Sequence, residues 1–99
     1  MYRFTLTVPL KLNTGADVDT AHFNLIEGRL IAICGGFTRT DGVGGWDGEE
    51  RRYREPIALY TVDSQDDIGA ALYMLAEYVA LVLEQESVYL TRSPIISAD

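Results

Sequence analysis

The chain has one cysteine, one histidine, one tryptophan and three prolines among 99 residues. A single cysteine excludes an intramolecular disulfide and fits a reducing compartment. The single histidine, His22, has no His/Cys/Asp cluster at ligand spacing beside it, so neither a metal nor a cofactor is expected. Basic residues are scarce. Eight Lys and Arg against fifteen Asp and Glu give a net charge of −7. That excludes a protein that coats a nucleic-acid polymer, a task that needs a basic face. No apolar run is long enough to span a bilayer, and no basic leader with an apolar segment precedes the first strand. These absences predict a cytoplasmic protein with no membrane partner. The apolar share, 47%, is too high for disorder, and a chain of this length forms one core, hence a single domain over residues 1–99.

What is present alternates between strand and helix patterns. Tyr2, Phe4, Leu6 and Val8 are apolar between polar Arg3, Thr5 and Thr7, which predicts a half-buried strand ended by Pro9. Asp17 and Asp19 offer N-cap carboxylates to a helix of about a dozen residues, with Phe23, Ile26, Leu30 and Ile33 on its inner face. Gly28 weakens it by about 1 kcal/mol relative to Ala, and Gly35-Gly36 stops it. Phe37 to Thr40 is a short strand, and the glycines up to Gly48 around Trp46 predict a loop within a wide hairpin. Pro56 opens the next strand, Ile57 to Val62. Ser64 and Asp67 suggest a capping box before a helix striped by Ile68, Leu72, Leu75, Val79 and Val82. A last strand, Ser87 to Arg92, is closed by Ser93-Pro94. The order β-α-β-β-α-β with two right-handed crossovers predicts an α+β ferredoxin-like sandwich: a four-stranded antiparallel sheet with two helices on one face.

The second helix is too apolar for a solvated outer face. Between Ile68 and Leu83 the only charged residue is Glu77. Its outer face, with Tyr73, Met74, Glu77 and Leu81, predicts an interface with another copy of the chain, in a homodimer or higher oligomer. A sheet-to-sheet dimer through Thr5, Thr7, Tyr89 and Thr91 is the rival geometry.

Candidate chemistry gathers around the glycines. Gly42-x-Gly44 lacks the spacing and the strand-to-helix context of a dinucleotide fingerprint, and no Lys-Ser/Thr phosphate loop is present. Two readings stay open: a plain hairpin loop, or a flap of Gly42, Gly44, Gly45 and Trp46 whose amides and indole approach a ligand. Arg39, Arg52 and Arg54, with Arg51 and Tyr53, put four of the eight basic residues between positions 39 and 54. Arginine forks suit phosphate or carboxylate, although Glu49, Glu50 and Glu55 stand ready to neutralise them. His22 reads as a surface or capping residue and Cys34 as a small buried one. Asp63, Asp66 and Asp67 read as helix-capping acids. No catalytic constellation is assigned.

The chain resembles a family of small bacterial and phage proteins classed as a domain of unknown function. The likeness rests on Gly36-Phe37-Thr38, Gly42-x-Gly44-x-Trp46-x-Gly48, Arg54-Glu55-Pro56, Gln85-Glu86-Ser87-Val88 and Arg92-Ser93. It implies the same ferredoxin-like sandwich and brings no activity or site residues with it. Many members look secreted, whereas this chain shows no leader, and its first helix is more apolar.

These readings converge on a small, non-enzymatic, oligomeric binding protein that holds an anionic or nucleotide-like small molecule. Trp46 stacks on a planar ring, while Arg39 with Arg52 or Arg54 takes phosphate. A phage protein of this kind would act as a sponge for a host immune signal. The alternatives are an inhibitor or adaptor that binds a host protein through the second helix or open sheet, and a dimeric α+β barrel enzyme. The acidity is uneven: residues 61–99 hold one basic and seven acidic side chains, and residues 1–60 hold seven and eight. An anion site in the first part is therefore compatible with an acidic whole.

Overall fold

The computed structural model describes residues 1–85 and 88–95. Its elements run β1 (Tyr2–Pro9), α1 (Thr20–Cys34), β2 (Thr38–Asp47), β3 (Arg52–Ser64), α2 (Gly69–Val82) and β4 (Leu90–Pro94). The sheet order is β2-β3-β1-β4 with every neighbour antiparallel. This is the ferredoxin-like sandwich that the alternation of patterns predicts. Parallel β1 and β2 are split by β3, and parallel β3 and β4 are split by β1, the arrangement two crossover helices on one face produce. None of the described helices is long and apolar enough to cross a membrane.

Register decides which side chains meet the helices. Phe4, Leu6 and Val8 pair with Val62, Tyr60 and Ala58, and all six are buried. They pack with Phe23, Ile26 and Leu30 of α1 and with Leu72, Leu75, Ala76 and Val79 of α2. Each large apolar side chain so buried contributes roughly 1.5–3 kcal/mol. Neither described helix packs on the other face of the sheet.

Helix ends follow local chemistry. The Asp19 carboxylate accepts from the Ala21 amide at 2.9 Å, and Gly35, at φ 85°, ends α1 in the left-handed conformation that favours glycine. The capping box expected at α2 does not form. Asp67 instead accepts from the Gly69 amide at 3.0 Å, and the Ser64 hydroxyl accepts from the Asp66 amide. Ser64 is still the last residue of β3, so its side chain does not reach the first turn of α2.

The largest departure from expectation is β2. The glycine run is a ten-residue strand, and the hairpin loop is only 48–51. Pairing with the strand formers Tyr53, Ile57, Leu59 and Thr61 outweighs the weak propensity of glycine. Pro9 and Pro94 end β1 and β4 as expected, but Pro56, expected to open its strand, lies inside β3. Pro56 accepts from the Leu10 amide, so its missing N–H points to the β1 side, beyond the last β1 pair, Pro9↔Ile57. No β2–β3 bond is lost. Past Pro56, residues 44–47 and 52–55 pair only with each other and form a two-stranded arm. The expected start of the last strand at Ser87 lies outside the described residues.

Candidate functional site

Strand alternation divides the expected binding residues between the two faces of the sheet. Arg39 pairs with buried Tyr60, so Arg39, Gly45, Arg52 and Arg54 belong to the helix side. Gly42, Gly44, Trp46 and Tyr53 belong to the open side. One molecule cannot lie against Trp46 and Arg39 of the same chain, because the sheet stands between them.

On the helix side two of the three arginines, Arg39 and Arg52, are held by acids. Arg39 donates to both Asp41 carboxylate oxygens at 2.7 and 3.1 Å and lies over the rings of Phe23 and Tyr60. Glu27 is 3.6 Å from Arg39 and accepts from the Tyr60 hydroxyl at 2.7 Å. The Arg39 bond holds the Asp41 carboxyl below its ordinary range. Burial, then the bond to Glu27, push the Tyr60 phenol up. Arg52 bonds Asp47 at 2.7 Å. Arg51 lies over the Tyr53 ring at 4.7 Å. Of the four arginines between positions 39 and 54, Arg39 and Arg52 are thus neutralised locally.

The open side has a different character. Trp46 and Tyr53 stack with ring centroids 5.3 Å apart and 12° between planes, a favourable aromatic pair. Trp46 is 49% exposed, which leaves much of its ring free. Gly48 permits this stack: a Cβ there would sit 2.4 Å from the Tyr53 ring. Beside it runs a cleft of about 640 Å³, lined by Thr7, Gly44, Trp46, Glu55, Ile57 and Tyr89 and closed at one end by Asn13 and Gln85. The Gln85 side-chain amide donates to the Asn13 side-chain oxygen Oδ1 at 3.2 Å, and the Asn13 side-chain amide donates to the Glu84 backbone carbonyl at 2.9 Å. The Thr7 amide donates to the Tyr89 carbonyl at 3.0 Å, which ties Tyr89 to the rim.

An exposed indole, an apolar floor at Ile57, hydroxyls and one carboxylate suit a planar, uncharged or cationic ligand. Sequence reasoning missed Glu55, Ile57, Asn13 and Gln85 as lining groups. Extending the β3 alternation upstream through Pro56 would have put Glu55 and Ile57 beside Tyr53. No signal joins Asn13 to Gln85 across the fold.

Other singled-out residues have structural partners. Asp63 forms a two-bond pair with Arg3 at 2.9 and 3.0 Å, which lowers its pKa. Asp67 pairs with Arg92 as well as capping Gly69. The Cys34 thiol donates to the Leu30 carbonyl at 3.0 Å. His22 is half-buried, and its amide donates to Asp19. On α2, Tyr73, Met74, Glu77 and Leu81 all face outward, with Leu81 77% exposed. Thr5, Thr7, Thr91 and Tyr89 lie on the open side of the sheet or its rim, away from the helices.

No protein-family model matches the chain, and no curated protein matches it. Solved structures do. A phage SAM lyase in complex with S-methyl-5'-thioadenosine superposes with a TM-score of 0.69 at 14% identity, over 93% of this chain and 79% of that one. A phage SAM lyase in the apo state superposes with a TM-score of 0.71 at 13% identity, over 93% and 78%. At such identity the likeness establishes a shared α+β fold across nearly the whole chain.

Proposed function

We propose that the protein binds S-adenosylmethionine (SAM), or a nucleoside thioether derived from it, in the open-face cleft beside Trp46, and cleaves the sulfonium. The observation that carries this reading is the fold match to SAM lyases along 93% of the chain. The cleft agrees with it chemically. Trp46 offers a stacking surface for a purine, and Glu55 offers a carboxylate to the ribose hydroxyls or the sulfonium. The nucleoside half of the expected ligand therefore has its partners on one face, whereas the phosphate half looks to arginines that Asp41 and Asp47 already occupy.

Sulfonium cleavage suits a cleft with few ionisable groups. S-Methyl-5'-thioadenosine keeps the methyl and adenosyl groups, so the bond broken is that from sulfur to the amino-acid chain. Its electron pair stays on sulfur and releases a neutral thioether that needs no proton donor. A lyase adds no water, so the carbon fragment satisfies its own deficiency, through its carboxylate or by losing a neighbouring proton. The protein's share is to orient the chain and exclude water.

A second reading is sequestration without turnover, the sponge. It is favoured by the absence of buried polar or charged side chains among the described residues. Self-association through α2 belongs to either reading. Incubating purified protein with SAM and chromatographing the products separates the two. Thioadenosine accumulating with time means cleavage; intact SAM co-eluting with protein means sequestration. SAM that is neither bound nor consumed overturns both.

A further inference from the structure

β2 is an edge strand whose outer backbone groups pair with no other described strand. Within a strand, the N–H and C=O of one residue point to the same side and successive residues alternate. Pro56 accepts from Leu10 on the β1 side, so the even residues of β3 face β1 and the odd ones face β2. The β2 partners of those odd residues are Thr38, Thr40, Gly42, Gly44 and Trp46. Arg39, Asp41, Val43, Gly45 and Asp47 therefore turn their backbone groups away from the sheet. No proline or bulge interrupts this row, and its three charges, Arg39, Asp41 and Asp47, are of both signs. Such an edge is a template for another strand.

We propose that the β2 edge pairs antiparallel with the β2 edge of a second copy, about a two-fold axis at Val43, and that the pairing completes the Trp46 cleft. Charge selects the register. With the axis at Val43, Arg39 lies opposite Asp47 of the second copy, Asp41 opposite its Gly45, and the two valines, each 60% exposed, meet at the axis. With the axis at Asp41, two carboxylates face each other. With the axis at Gly44, Asp41 opposes Asp47. With the axis at Gly42, Arg39 opposes a glycine. Opposite charges directly across a strand pair stabilise and like charges destabilise, so the Val43 axis is favoured.

The consequence falls on the open face. Trp46 then lies opposite Thr40 of the second copy, and Gly44 opposite its Gly42. Tyr53 covers Trp46 on one side, and the second copy supplies a hydroxyl and a side-chain-free floor on the other. The pairing stands on the backbone and charge pattern alone; only this consequence rests on the ligand reading above.

Size-exclusion chromatography with light scattering at micromolar concentration tests it. The wild type is expected at twice the chain mass or an even multiple. Val43→Pro is expected at half the wild-type mass with its circular dichroism retained, because the deleted N–H points outward and serves no β3 bond. A wild-type monomer, an odd multiple, or an unchanged mass for folded Val43→Pro overturns the pairing. Should Val43→Pro fail to fold, Val43→Cys under oxidant decides. It is expected to form a covalent dimer on a non-reducing gel while the wild type, with Cys34 alone, does not. A Val43→Cys protein that does not cross-link overturns the pairing. Binding of S-methyl-5'-thioadenosine is expected to weaken about tenfold when pairing is lost. If the wild type dimerises but binds neither it nor SAM, the ligand reading fails and the pairing stands.

Discussion

Glu55 and Trp46 are neighbours on the open face because strand alternation skips Arg54, which belongs to the other side. If Glu55 faces a cationic sulfonium, Glu55→Gln weakens SAM binding about tenfold and neutral thioadenosine binding much less. Calorimetric titration of both ligands checks the difference, and melting temperature is expected to hold, since the residue is only half-buried. Acid sensitivity is set by residues elsewhere. Asp63 and Asp41 have their carboxyl pKa values lowered by Arg3 and Arg39. A carboxylate with a depressed folded pKa stabilises above its unfolded value, near 3.9, and that stability disappears as pH falls through the folded value. Melting temperature should therefore fall below about pH 4, with a shallower fall in Asp63→Asn. Both pairs are partly exposed, so solvent screening keeps the effect small.

The helices and β1 were legible because burial imposes a period on them. Phe23, Ile26 and Leu30, and Leu72, Leu75 and Val79, are buried in the structure as spaced in the sequence. β2 was not legible. Its residues Gly42, Gly44 and Gly45 carry no apolar alternation, and the strand exists through its pairing with β3. Pro56 misled in the same way, since its missing N–H lies beyond the last β1 pair, where a strand tolerates proline. Glycine inside α1 is the opposite case, a local cost with no packing reason: a Cβ at Gly28 meets nothing within 4 Å. Gly28→Ala should stabilise by about 0.5–1 kcal/mol, seen as a rise of a few degrees in melting temperature. An unchanged or lower value would mean that position is already constrained by a contact outside this chain.

Across the whole molecule, the negative charge and the candidate cleft are separate matters. The −7 sits mostly in residues 61–99, and two of the arginines that suggested an anion site, Arg39 and Arg52, are drawn into pairs with Asp41 and Asp47. Trp46 was legible as an exposed residue because an indole among glycines has no core to enter. Its separation from Arg39 was not, because that depends on which face each strand turns to the helices. The fold then places an exposed indole, Glu55 and Tyr89 around one cleft on the helix-free face. Isothermal titration calorimetry of S-methyl-5'-thioadenosine into the wild type and Trp46→Ala tests that assignment most directly. Saturable binding in the wild type, weakened at least tenfold in the variant, is predicted, since a base–aromatic stack is worth about 1–3 kcal/mol. No binding of the thioether or of SAM by the wild type, or equal affinity in Trp46→Ala, would contradict it.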